Sequence, residues 1–245
     1  MTLRLETDLT PAQQAEMAGI PATSWFTSVA WRNAASPVHP DRRLAENNEM
    51  KQAMLNEWVA EAVRGRRVLD LFSANGAFSV FAALAGATEV VGVEFAEERV
   101  RCAEFVARTV RSDCRISFIH GDVYKLAEYF PAPFDVVLCF GGMYHVADPG
   151  HVLRQIRAVT RERLILQTSQ VLFRRGNWAK FIVRRQDQTT AGLTSIRGGY
   201  GTWHCTPGCL RELLLHGGFE IVEERTPPWR KRKRFPWYLA RCTPV

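Results

Sequence analysis

The sequence predicts an α/β fold: a doubly wound sheet of mostly parallel strands, with an antiparallel terminal hairpin and an N-terminal helical cover. Three observations carry that reading. From Arg67 to about Thr168, short β-branched runs alternate with helix-length segments, the pattern of βαβ units. Toward the end of the chain, two strand-like runs, FEIVEER and WYLARC, are joined through Pro227, Pro228 and Pro236. Ahead of residue 61, PAQQAEMAG and NNEMKQAMLNEWVAEAV have helical character around an aromatic stretch, SWFTSVAW.

The elements follow in order. RVLDLF is a strand, AFSVFAALAG an apolar helix closing at Gly86, and EVVGVEF the next strand. AEERVRCAEFVARTV has one charged and one apolar face, as a helix on a sheet requires. RISFIHG is a third strand, and FDVVLCF is the continuous apolar run of a strand buried on both sides. PGHVLRQIRAVT opens with Pro149 at a helix N-terminus, and RLILQT is the fifth parallel strand. TPGCLRELLLHGG is a helix capped by Gly217 and Gly218, leading into the terminal hairpin on the sheet edge. Residues 1–60 read as the cover and 61–245 as the sheet domain.

Composition limits the function. The 245 residues are 47% hydrophobic and 23% charged, ordinary globular values that support one sizeable core. No apolar run approaches the roughly 18 residues that span a bilayer. The opening MTLRLETDLT has no apolar core of a signal peptide, and six Cys without a C-x-x-C pair suit reduced thiols, so a cytoplasmic protein is expected. Of the net charge of +7, five units sit at Arg230–Arg234, leaving +2 for the rest. That run is either a solvated loop or a patch for phosphate, polyanion or an acidic substrate.

Open α/β sheets bind ligands at the carboxyl ends of their strands, which directs attention to the loop from Phe72 to Gly76. It holds a single glycine, so a pyrophosphate is a poor fit. Asp70 ends the first strand, Glu94 the second and Asp122 the third. Glu94 lies 24 residues after Asp70, near the spacing at which an acid accepts hydrogen bonds from a ribose diol. Three acids at successive strand tips repel phosphate and suit a nucleoside carrying a sulfonium.

These residues resemble the class I S-adenosylmethionine-dependent methyltransferases. VLDLFSANG is similar to that family's first motif, VGVEF to its second, HGDV to its third and FDVVLCFGGMYHV to its fourth. The resemblance covers Arg66 to Thr168 well and, through the closing helix and hairpin, most of the rest. It departs at Phe72 and Ala74, where the family usually has glycine. It implies a Rossmann-like fold, a transferase of class EC 2.1.1, S-adenosylmethionine as cofactor and S-adenosylhomocysteine as product. Asp70 would organise the loop and the methionine amino group, with Ser73, Asn75 and Gly76 at the amino-acid end. Glu94 would hold the ribose, Asp122 and Val123 the adenine, and Phe140 the methionine side. Phe72 and Phe95 border this set, with packing as their expected role.

A hydroxyl acceptor is a weak nucleophile at neutral pH and gains from a base. His145, after the fourth strand in GGMYHVADP, is the candidate, with Tyr144 orienting the acceptor. Asp148 with Asp122 or His145, and His204 with Cys205 and Cys209, are incomplete as metal sets. No metal site is expected, and a divalent-metal requirement stays open.

On the acceptor side, SWF, the YH pair and WHCTPGCLRELLLHGGFEIVEE resemble a subgroup that includes tRNA wobble-uridine modifying enzymes, with similar segments in transferases acting on sugars and natural products. Trp25, Tyr200, Trp203 and His204 are the expected substrate contacts, the aromatics beside Gly199 and Gly201 suiting a stacked ring. The expected function is O-methylation of a small-molecule hydroxyl, on a sugar or natural product. The alternatives are a tRNA-directed transferase guided by the basic run and a catalytically silent binding protein. A homodimer is an open possibility.

Overall fold

A computed structural model describes residues 2–171, 176–185, 199–225 and 237–245, with backbone alone for 42–45, 47–49, 52, 183–185, 199 and 200. The basic run Arg230–Arg234 and the side chain of Tyr200 lie outside the described residues. Two compact units divide the chain, Met1–Gly121 and Asp122–Val245.

The first unit opens with β1 (Leu3–Arg4), α1 (Pro11–Gly19), β2 (Val29–Ala30) and α2 (Arg42–Val63). Thr10 and Gln13 cap α1 reciprocally, with Pro11 in its first turn. Then come β3 (Arg67–Leu71), α3 (Ala77–Leu84), β4 (Glu89–Glu94), α4 (Glu97–Arg108) and β5 (Arg115–His120). The last three strands are parallel, with Asp70 opposite Gly92 and Glu94 opposite His120, so their carboxyl ends finish side by side.

The N-terminal segment is not helical throughout, since β1 pairs with β2 in parallel. Its apolar residues Leu3, Leu5, Leu9, Trp25, Val29 and Trp31 form one core cluster with Ala77 and Val80 of α3 and Cys102, Phe105 and Val106 of α4. Trp25, Trp31 and Phe105 meet edge to face, their ring centroids 6.0–6.3 Å apart. The Trp31 indole also donates to Thr109 Oγ1 at 2.8 Å. This contact set fixes the segment to the βαβ core by burial of large rings.

The second unit contains α5 (Leu126–Tyr129), β6 (Phe134–Phe140), α6 (Pro149–Ala158), β7 (Thr160–Ser169), β8 (Ala179–Arg185), β9 (Gly199–Cys205), α7 (Pro207–His216), β10 (Phe219–Arg225) and β11 (Trp237–Pro244). β6 is buried along its whole length, as its unbroken apolar run anticipates, and pairs in parallel with β7. β11 runs antiparallel to β7 and β10 lies outside it, so the terminal hairpin is present with FEIVEER outermost. β8 and β9 form a separate antiparallel hairpin between β7 and α7, which the sequence pattern did not reveal.

The whole is the Rossmann-like α/β arrangement expected, mostly parallel with antiparallel strands toward the C-terminus. Among the described residues, no helix is long and apolar enough to cross a membrane.

Candidate functional site

Among the described residues, the non-glycine positions with positive φ both lie in the β3–α3 loop. Phe72 and Ala74 have φ of +58° and +49°, and Gly76 has φ of +71°. Side chains with a Cβ pay about 1–2 kcal/mol in this left-handed region, so something must hold the loop there. Ser73 N–H donates to Val93 O at 3.2 Å, and Gly76 N–H to Ser73 O at 2.8 Å. Ala74 N–H donates to Glu94 Oε2 at 3.0 Å. The loop thus keeps the left-handed conformation at both positions where the family pattern has glycine and this chain has Phe and Ala. Gly76 is required for a second reason, because a Cβ there would stand 2.7 Å from the Phe118 ring.

Glu94 is the organiser of this turn. Its Oε1 accepts from Ala96 N–H at 3.0 Å and from Arg99 at 3.4 Å, while Oε2 holds Ala74. Arg99 in turn lies 4.3 Å from the Phe26 ring centroid. Asp70 is 1% exposed and accepts from the Ser79 hydroxyl at 2.6 Å. Burial, with a smaller contribution from the Glu94 charge, pushes its carboxyl up to about 7. Ser79, the sole hydroxyl in the helix AFSVFAAL, is a partner whose place in an apolar run was the available clue.

A stability consequence follows from Asp70. Its folded-state pKa lies above the ordinary 3.8, so between those values the folded protein keeps a proton that the unfolded chain has released. Stability attributable to Asp70 therefore falls as pH rises from about 4 to about 7, with the full cost present above that range. Thermal melts across this range should show wild type losing ground against Asp70→Asn. Parallel curves for the two proteins would contradict the buried-acid account.

Two of the expected contacts are engaged within the N-terminal packing. Asn75 is clasped to the N-terminal segment, its Nδ2 donating to Thr27 O at 2.8 Å and its Oδ1 accepting Thr27 N–H at 3.2 Å. Trp25, expected to meet substrate, is 0% exposed inside the aromatic cluster and has no face to offer a ligand. Ser73 differs: its buried Oγ has no hydrogen-bond partner among the described residues. Phe95 is exposed, and Phe72 is half-buried.

In the second unit, Asp122 caps a short turn, Val123–Lys125, accepting Tyr124 N–H at 2.9 Å. Val123 and Phe140 are buried. The turn Met143–His145 follows β6, with the Tyr144 and His145 rings 4.3 Å apart. Burial pushes the Tyr144 phenol up to about 12, which keeps it protonated. Asp148 is spent on capping α6, accepting His151 N–H at 2.9 Å.

Trp203 is placed differently from its expected stacking role. Its indole donates to Val146 O at 3.0 Å, and its ring leans on Phe181, 4.7 Å between centroids. Phe181 lies over Gly201, where any Cβ would collide with it. The β8–β9 hairpin therefore braces the turn that carries His145. His204, an expected substrate contact, is buried within β9. Cys205 and Cys209 interact thiol to thiol, which lowers the Cys209 thiol below its ordinary value. Among the described residues, no group of three or more His, Cys, Asp or Glu could hold a metal ion.

With this geometry in place, the comparisons with known proteins have a structural meaning. The family described as "Methyltransferase domain" matches residues 62–190, more than half of the chain. The chain belongs to this methyltransferase family, and its fold is that of the class I S-adenosylmethionine-dependent enzymes. It is 32% identical over 107 residues to the ubiquinone biosynthesis O-methyltransferase of Bordetella pertussis, a match covering 42% of this chain and 43% of that protein. The chain thus spans under half the length of this curated relative. The N-terminal domain of EvdMO1 with SAH bound superposes with a TM-score of 0.71 at 21% identity, covering 98% of both chains. The same domain in the presence of SAH and D-fucose gives 0.67 at 18% identity, covering 97% of this chain and 98% of that one.

Proposed function

We propose that this protein binds S-adenosylmethionine at the β3–α3 loop and transfers its methyl group to a hydroxyl of a small molecule, a sugar or natural product. The observation that carries the reading is the loop backbone. Phe72 and Ala74 are held left-handed at a cost, with an unpartnered buried Ser73 hydroxyl between them. A loop kept in that form against residue preference is explained by a ligand that needs its shape. The O-methyltransferase match and the D-fucose experiment on the EvdMO1 domain favour a hydroxyl acceptor and a sugar among acceptors.

Each residue then has a task. Asp70 faces the amino-acid end and gains from a nearby ammonium, which would favour its charged form. Ser73 and Gly76 line the same end. Glu94 takes the ribose, since Oε2, which holds the loop through Ala74 N–H, keeps a second lone pair. Asp122, Val123 and Phe140 take the adenine and methionine sides. Bound S-adenosylmethionine supplies an electrophilic methyl on sulfur. His145 removes the acceptor's proton, and Tyr144, still protonated, orients it. In functional terms residues 1–60 are the cover and 61–245 the transferase domain.

Titration calorimetry with S-adenosylmethionine and S-adenosylhomocysteine tests the first half of this reading, and a methyl-transfer screen over saccharides, phenols and unmodified tRNA tests the second. Glu94→Ala should weaken S-adenosylhomocysteine about 10- to 100-fold, the worth of one or two charge-assisted hydrogen bonds. Unchanged affinity in that variant would remove Glu94 from the site.

A further inference from the structure

The N-terminal segment reaches the β3–α3 loop by two routes that start from neighbouring residues. Thr27 clasps the Asn75 amide with its backbone carbonyl and N–H, at 2.8 and 3.2 Å. Phe26, one residue earlier, lies under the Arg99 guanidinium, 4.3 Å from its ring centroid. Arg99 Nη1 reaches Glu94 Oε1 at 3.4 Å, and Glu94 Oε2 holds Ala74 N–H at 3.0 Å. Ala74 and Asn75 are consecutive, so the contacts close a circuit that runs from Phe26 and Thr27 through the loop to Glu94 and Arg99 and back. Every member lies in the first compact unit.

Arg99 stands where a helix does not ordinarily favour it. It is the third residue of α4, and the positive end of the helix dipole favours acids there, a preference that Glu97 and Glu98 meet. A guanidinium at that position needs an anion, and Glu94 supplies a carboxylate that is only 6% exposed. The Arg99 side chain is itself 19% exposed, so the pair is screened less than one on the surface. The Phe26 face fixes the plane of the guanidinium.

This circuit decides which oxygen of Glu94 is open to a ligand. Oε1 accepts from Ala96 N–H at 3.0 Å and from Arg99, which together use both of its lone pairs. Oε2 accepts from Ala74 N–H and keeps one. Without Arg99, Oε1 would offer a lone pair as well, and the carboxylate would face the nearby Asp70 carboxyl with its cation gone.

We propose that Arg99 is a positioning residue for nucleoside binding: held flat by Phe26 of the N-terminal segment, it turns the Glu94 carboxylate so that Oε2 meets a ribose hydroxyl. The inference rests on the proposed function and deepens it, because recognition of the ribose then depends on Phe26 and Arg99, which act through Glu94.

Calorimetry on the full chain tests this with adenosine and 2′,3′-dideoxyadenosine, which differ only in two ribose hydroxyls. In wild type, adenosine binds about 10- to 100-fold more tightly, the worth of a charge-assisted hydrogen bond. Arg99→Met keeps the aliphatic stem; it cuts that ratio about three- to tenfold and leaves dideoxyadenosine within about twofold of wild type. Arg99→Lys restores most of the ratio by returning a cation to Glu94. Phe26→Leu lowers it by less, since the guanidinium keeps its charge and loses its fixed plane. Binding of dideoxyadenosine also reports that each variant is folded.

An unchanged ratio in Arg99→Met overturns the proposal. So does an equal loss for both probes, the result expected of an arginine that only supports the fold. A ratio near one in wild type overturns the ribose role of Glu94 and the proposal together. A wild-type protein that binds neither S-adenosylhomocysteine nor adenosine overturns the proposed function, and this inference falls with it.

Discussion

Replacing Trp25 with Ala should cost about 3–5 kcal/mol of stability, the usual range for emptying a large aromatic site in a core. The ring is fully buried and meets both Trp31 and Phe105 edge to face. Its removal takes away the wedge between the N-terminal segment and α4, and the surrounding rings are too rigid to refill the space. Trp25→Phe should retain most of the stability, because the Trp25 indole nitrogen is buried without a hydrogen-bond partner among the described residues and its loss relieves a desolvated donor. Urea unfolding of the two variants measures both effects. A substrate-contact role predicts the reverse, a near-normal midpoint for Trp25→Ala with a raised KM for the acceptor. That result would return Trp25 to the binding surface and leave the aromatic cluster without its assigned weight.

The contrast between Trp25 and the strand-tip acids shows which features a sequence can expose. β3, β4 and β6 were legible because period and β-branching are local properties, and the acids follow from where each apolar run stops. The helix at Pro11–Gly19 was legible as a helical run, PAQQAEMAG, and the structure adds its reciprocal cap, Thr10 with Gln13. Trp25 was not, since its fate depends on Phe105, 80 positions away and on another element. Asn75 likewise looks like a ligand contact until Thr27 occupies both ends of its amide.

The loop is the most instructive case. The sequence suggests a glycine-poor motif and therefore an altered turn, yet φ at Phe72 and Ala74 is what glycine would have adopted. Conformation there is imposed by Val93 O and the Glu94 carboxylate, through bonds to Ser73 and Ala74 that no propensity records. The β8–β9 hairpin escaped for a related reason. Its strands are separated by a long connection rather than a two-residue turn, and the glycine that seemed to invite a ligand, Gly201, is covered by the chain's own Phe181.

Replacing His145 with Ala should lower kcat by about 10²- to 10⁴-fold, the ordinary contribution of a positioned general base. Affinity for S-adenosylhomocysteine should stay within about twofold, because the cofactor is assigned to other residues and a lost base affects the reacting step alone. Tyr144 cannot stand in, since burial keeps its phenol protonated to about pH 12.

The acceptor's own acidity sharpens the test. An alcohol needs the base at every accessible pH, whereas a phenol with a pKa of about 10 ionises unaided as the solution becomes alkaline. The deficit of His145→Ala should therefore narrow with rising pH for phenols and persist for sugars. Trp203→Phe keeps a ring against Phe181 but removes the donor to Val146 O, so it should lower kcat less than His145→Ala and leave nucleoside binding intact. Full turnover by His145→Ala with a sugar acceptor near neutral pH would show that proximity to the methyl group suffices. It would also leave the brace from Trp203 a matter of folding only.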